Sequence, residues 1–159
     1  MNRVLVLGLG NLLYGDEGIG VHAVRAWLER VEVPEGVVAL DGGTLGLDLL
    51  PDLVDMTHLL IIDAIVTTAP PGTIARITGD QLAGSVGGGL SPHELGVQEL
   101  LATAALAGCL PPHVLVLGVS PAVTGLGAEL SPALSAAIPA ICAARRKSTC
   151  SAGLLTARS

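Results

Sequence analysis

The hydrophobic positions of this chain fall into short runs that alternate between two periods. Residues 4–9, Val-Leu-Val-Leu-Gly-Leu, form a continuous apolar run closed by Gly10-Asn11, the pattern of a strand buried on both faces. After Asp16, the residues Val24, Trp27, Leu28 and Val31 recur at i, i+3, i+4 and i+7, which predicts a helix with one apolar face. Runs at 37–40, 59–62, 73–78 and 113–119 predict four more strands, the first of them closed by Asp41-Gly42-Gly43. Residues 45–54 predict a short helix broken at Pro51, because an internal proline removes a hydrogen bond and clashes with the preceding turn. Ser91-Pro92-His93-Glu94 reads as a helix start, with Ser91 as N-cap, Pro92 at N1 and Glu94 closing a capping box. That helix buries Val97, Leu100, Leu101, Ala104 and Ala105 and stops at Gly108. Ser131-Pro132 opens a last helix, in which Pro139 predicts a kink. Apolar strands alternating with helices define an α/β fold in three layers: a twisted, mostly parallel five-stranded sheet with helices on both faces.

Composition narrows the function classes. The 159 residues fit one domain, read here as 1–146, with 147–159 as a flexible C-terminal tail. Arg145, Arg146, Lys147 and Arg158 make this end basic, and solvated basic residues are expected there. Hydrophobic residues make up 50%, charged residues 14%, and mean hydropathy is +0.68, too apolar for disorder. The stretch from Leu100 to Ala128 lacks Asp, Glu, Lys and Arg, yet Pro111, Pro112, Gly118 and Pro121 interrupt it, so no run reaches the roughly 20 residues of a spanning helix. The apolar start meets Asp16-Glu17 without a small-residue cleavage site, so it does not read as a signal peptide. A cytoplasmic protein without membrane insertion is expected. Three cysteines, with no CxxC spacing, are expected reduced, Cys109 and Cys142 as core filler. A net charge of −6 argues against a nucleic-acid partner. One Trp, one Tyr and no Phe leave almost nothing on which bases could stack.

The candidate chemistry is dispersed. Gly8-Leu9-Gly10 after the first strand invites a dinucleotide-binding reading, but Leu13 stands where the third glycine belongs. Asp16 and Glu17 open the following helix, where they would repel a pyrophosphate. GxSxG, HExxH and P-loop motifs are absent. What remains is Glu17 after strand one, Asp63 ending strand three, and His93 in a helix's first turn. Loops beyond the carboxyl ends of parallel strands converge on one crevice, which Glu17 and Asp63 should share. His93 opens the helix leading into the last strand, so it is expected at the opposite edge unless residues 79–90 carry it across. If Asp16 caps its helix, Glu17 falls at N1 and His93 at N2 of their helices, where the helix dipole favours carboxylate and disfavours imidazolium. Those are the forms a metal requires, and a Glu/Asp/His set suits zinc or nickel. Acids in a first helical turn also stabilise it without any ligand, and a histidine there can be plain surface. Asp63, between two apolar runs, must be paired, hydrogen-bonded or ligating. His22, His58 and His113 are read as structural or solvated.

Taken together, Gly8-Leu9-Gly10-Asn11-Leu12-Leu13-Tyr14-Gly15-Asp16-Glu17-Gly18-Ile19-Gly20, Asp41-Gly42-Gly43-Thr44, Ile61-Ile62-Asp63-Ala64, Ser91-Pro92-His93-Glu94-Leu95-Gly96 and Gly118-Val119 resemble the [NiFe]-hydrogenase maturation endopeptidases. The resemblance implies an enzyme that removes the C-terminal extension of a hydrogenase large-subunit precursor after nickel insertion. It implies a metal-contacting trio at Glu17, Asp63 and His93. Asp63 and Glu17 are the candidate catalytic carboxylates; either could serve as general base, and the apolar setting of Asp63 favours it. Asp41, Gly42, Gly43 and Thr44 are assigned to substrate recognition. The nickel arrives with the precursor, with zinc or cadmium able to substitute in the site. The partner is the precursor itself, met by a monomer. A non-catalytic nickel-handling or chaperone protein binding the same precursor is the alternative. Family members often carry an acidic residue after the proline of Gly-Val-x-Pro, whereas Ala122 follows Pro121 here. The basic tail matches nothing in the family pattern.

Overall fold

The computed structural model describes residues 2–83 and 92–150, with the backbone alone for 83, 92–95 and 146–150. Five strands, β1 Val4–Leu9, β2 Val37–Gly43, β3 His58–Ala64, β4 Ile74–Thr78 and β5 His113–Val119, form one sheet in the order β2-β1-β3-β5-β4. The first four in that order are parallel, and β4 pairs antiparallel to β5 at the edge. The helices are α1 Ile19–Arg30, α2 Leu50–Leu53, α3 Gly79–Ala83, α4 Pro92–Leu106 and α5 Pro132–Cys150, joined by single 3-10 turns at Gly15–Gly18 and Gly46–Leu49.

The alternation of side chains along each strand sorts the core into two layers. Val4 and Val6 of β1, Leu60 and Ile62 of β3 and Leu117 of β5 pack with α1 and α5 through Ile19, Val24, Trp27, Leu134 and Ile141. Leu5 and Leu7, Leu59 and Ile61, and Val116 face the other way, against Leu49, Leu53 and the α4 residues Val97, Leu100 and Ala104. All six residues of β1 are buried, as expected of a central strand covered on both faces. Burying each Leu or Ile contributes about 1.5–3 kcal/mol, and this aliphatic packing replaces the aromatic core that the sequence lacks.

Several expectations are refined. The strands at 37–40 and 59–62 run on to Gly43 and Ala64, so Asp41 and Asp63 lie within strands rather than after them. Residues 45–54 are interrupted before Pro51, not at it: a 3-10 turn ends at Leu49, and Pro51 sits in the first turn of α2, where its missing N–H costs nothing. α5 continues past Pro139 to Cys150, so the boundary drawn at 146 falls inside a helix; residues 151–159 lie outside the described set. Arg145 is not solvated. It is buried, with its guanidinium 3.7 Å from the centroid of the Trp27 ring, an arrangement in which the ring face attracts the cation. Cys109 and Cys142 are half-buried, each packed against one of the two core layers. Among the described residues no helix is long and apolar enough to cross a membrane.

Candidate functional site

The chain leaves β1 toward β2 on one side and enters β3 on the other, so strand order reverses between β1 and β3. In a doubly wound sheet of this order the crevice beyond the carboxyl ends of the strands opens at that point. β1 and β3 are in register, with Gly8 opposite Ile62, and the residues that follow this pair face the crevice edge.

On the β1 side, the chain turns through Gly10 and Asn11 into the 3-10 turn Gly15–Gly18 and then α1. The approach is close. Gly10 adopts a φ of +134°, and a Cβ there would run into the Glu17 carbonyl; at Gly20 it would meet the backbone oxygens of Ile62 and Leu9. The glycines therefore let α1 lie flush on the strands. Glu17, half-buried in this turn, donates its N–H to the Tyr14 carbonyl at 3.2 Å, and the turn packs against β3.

Asp63, opposite Gly118 of β5, is only 3% exposed. Its Oδ1 accepts the Ala64 N–H at 2.8 Å. A carboxylate removed from water this far requires polar partners or a cation. Glu17, in the turn that follows β1, and Asp63, near the end of the adjacent β3, thus both stand at the carboxyl edge of the sheet.

His93 belongs to the same edge. Leu101, Ala102 and Ala105, in the second half of α4, line a groove with His58 and His113, the first residues of β3 and β5. α4 also touches the Gly46–Leu49 turn beyond the end of β2. A 15-residue helix spans about 22 Å at 1.5 Å per residue, so its first turn lies at the carboxyl edge. Of the two positions left open by the sequence, the helix direction favours the carboxyl edge, because a crossover helix runs antiparallel to the strand it precedes. The His93 side chain, Ser91 and residues 84–90 lie outside the described set. Among the described residues no three His, Cys, Asp or Glu side chains gather closely enough to hold a metal ion.

Asp16 departs from expectation. It caps nothing, since neither the 3-10 turn nor α1 has a side-chain cap. Fully buried, it points away from its own helix and holds the loop after β5. Its Oδ2 accepts the N–H groups of Ala122 and Val123 at 2.8 and 2.9 Å and the Ser131 hydroxyl at 2.8 Å; Oδ1 accepts the Ser131 N–H at 2.7 Å. Burial alone would raise its pKa, but these hydrogen bonds to the charged form outweigh burial and hold it below 3.8. No local signal announces this role, because the partners lie more than a hundred residues away.

The Asp41-Gly42-Gly43-Thr44 segment closes β2 beside the crevice, and the Gly43 carbonyl accepts the Gly10 N–H at 3.0 Å. The Asp41 carboxylate is engaged by Arg25 of α1, at 2.8 Å from Nε and 2.6 Å from Nη2. His58 and His113, opposite each other in β3 and β5, stack with ring centroids 4.5 Å apart. They line the groove of about 1070 Å³ at the amino edge, far from Glu17 and Asp63. His22 is half-buried on α1, its pKa lowered by burial and by Arg25.

These features define a doubly wound α/β protein with Glu17 and Asp63 at the carboxyl edge of its sheet. The sequence model described as hydrogenase maturation protease matches residues 21–146. The chain is 40% identical over 121 residues to the hydrogenase expression/formation protein HupD of Bradyrhizobium diazoefficiens, covering 76% of this chain and 63% of that protein. It is 40% identical over 120 residues to the hydrogenase 2 maturation protease of Escherichia coli, covering 75% and 73%. The structure of the hydrogenase maturating endopeptidase HybD from E. coli superposes with a TM-score of 0.83 at 37% identity, over 92% of this chain and 93% of that one. The chain belongs to the hydrogenase maturation protease family. It spans less than two thirds of the length of the HupD relative.

Proposed function

We propose that this chain is an endopeptidase that removes the C-terminal extension of a [NiFe]-hydrogenase large-subunit precursor once nickel has been inserted. Substrate-bound nickel serves as the recognition element. The reading is supported above all by the position of the buried Asp63 and the half-buried Glu17 at the carboxyl edge, where strand order reverses, in a chain of this family. Glu17, Asp63 and His93 complete the coordination sphere of the nickel that the precursor carries, and so dock the scissile segment beyond the carboxyl ends of β1 and β3. A carboxylate with little water around it is a stronger base toward a water held beside it than one in bulk solvent. Asp63 takes the proton of the attacking water, and Glu17 holds the metal side of the complex. Asp41-Gly42-Gly43-Thr44, at the end of β2, borders the path of the extension. The reading places the protein in the cytoplasm, as a monomer.

The test is release of the C-terminal peptide, detected by mass spectrometry after purified protein meets nickel-loaded precursor. A peptide released by the wild type and not by Glu17→Gln is expected. A precursor that stays intact with the wild type overturns the proposal, and a precursor bound tightly but uncut identifies a non-catalytic chaperone.

A further inference from the structure

Two loops at the carboxyl edge are fastened to each other. Tyr14 and Gly127 form a bridge. Gly127 donates its N–H to the Leu13 carbonyl at 2.9 Å, Gly15 to the Gly127 carbonyl at 2.7 Å, and Asp16 to the Val123 carbonyl at 2.8 Å. The Asp16 carboxylate then pins the second loop from beneath. With these backbone groups paired to one another, the composite loop offers a partner mainly its side chains. Those are apolar and in water: Leu126 is 82% exposed, Leu13 65%, Val123 53% and Tyr14 40%. Scattered exposed apolar residues are ordinary; four carried on one hydrogen-bonded pair of loops, the first of which leads within three residues to Glu17, are not.

We propose that the loops 11–14 and 121–127 form an apolar docking platform for an uncharged, apolar stretch of the polypeptide substrate, adjoining Glu17. This deepens the proteolytic reading and rests on it. The choice of occupant follows from charge and size. Neither loop contains Asp, Glu, Lys or Arg, and the neighbouring carboxylate of Asp16 is buried and fully hydrogen-bonded. An anionic segment laid here would lose hydration and gain no cationic partner, and neither loop offers a cationic one a carboxylate of its own. Four side chains fall short of the roughly 800 Å² per partner of a stable protein interface, so the platform suits a segment of an already docked substrate rather than a second copy of this chain. Pinning by Asp16 keeps the surface formed before binding, which lowers the ordering cost of association.

The experiment compares wild type with Leu13→Ser/Leu126→Ser and with Val123→Ser, using Leu106→Ser as control; Leu106, 90% exposed, ends α4 far from the platform. Cleavage kinetics on nickel-loaded precursor are measured together with equilibrium binding of the same precursor, and thermal melts confirm folding. A KM raised about tenfold with kcat nearly unchanged is expected for the platform variants, the signature of lost uniform binding, with the control unaffected. Platform variants that match the wild type in KM and affinity overturn the platform while leaving the protease reading intact. A wild type that binds but does not cut overturns the protease reading, and affinity alone then decides the platform. A wild type that neither binds nor cuts overturns both.

Discussion

Asp16→Asn perturbs the structure at one well-defined point. The four hydrogen bonds that Asp16 accepts fall three on Oδ2 and one on Oδ1. An asparagine can turn its single oxygen to the Oδ2 position and keep Ala122, Val123 and the Ser131 hydroxyl. Its NH2 group then faces the Ser131 N–H, donor against donor. One charge-assisted bond worth about 1.5–3 kcal/mol is lost, and three fall to the neutral value of about 1 kcal/mol each. Burying an amide instead of a carboxylate offsets part of this, and a net loss of about 2–4 kcal/mol remains. The loss should depend on pH. The folded pKa of Asp16 lies below 3.8, so the folded state releases this proton more readily than the unfolded chain. Its stabilisation is full above 3.8 and disappears as pH falls through the lower folded value. Asparagine does not titrate, so the gap between the two proteins narrows in that window. Urea unfolding of both proteins, from about pH 7 down to about pH 3, measures it. A gap under about 0.5 kcal/mol at neutral pH, or one of constant size throughout, refutes the clamp.

Other perturbations test separate parts of the structure. Gly20→Ala drives a Cβ against the Ile62 and Leu9 backbone oxygens and should cost about 3 kcal/mol in chemical denaturation; a neutral effect contradicts the flush packing of α1. Arg145→Ala removes the guanidinium over Trp27, with an expected loss of about 1–2 kcal/mol and a changed tryptophan emission; an unchanged spectrum places Arg145 in solvent. His22 and His58 are both held below 6.5, each by burial first and then by Arg25 or His113 respectively. Their contribution is present above 6.5 and lost as pH falls below it, so His22→Gln/His58→Gln should flatten the fall in stability on acidification; an unaltered slope excludes them as its source. Glu17→Gln, Asp63→Asn and His93→Ala should each fold and each fail to process nickel-loaded precursor, and normal processing by all three removes the proposed site.

The layered sheet was legible because its strands are apolar on both faces. The run Val4 to Leu9 is buried at every position, and β5 has the bounds that its hydrophobicity predicts. The hydrophobic pattern stops short of the strand ends at Asp41 and Asp63 because polar residues there look like punctuation. Parallel pairing carries the backbone on to the crevice, where polar residues serve the site rather than end the strand. The antiparallel direction of β4 leaves no mark in a five-residue run of mixed burial. Glu17 and Asp63 could be placed because each follows or ends a strand, and connectivity alone then puts them at one edge. Asp16 could not, since its partners at 122–131 are distant in sequence, and an acid before a helix looks like a cap. Arg145 misled for a related reason: a charge near a chain end is usually in water, and only the tertiary approach of Trp27 makes its burial favourable.

The most direct measurement compares cleavage of one precursor prepared with and without nickel, at equal protein concentration. Recognition through Glu17, Asp63 and His93 requires rapid release of the C-terminal peptide from the nickel-loaded form and little from the nickel-free form, with Asp63→Asn inactive on both. Equal cleavage rates for the two preparations would contradict it.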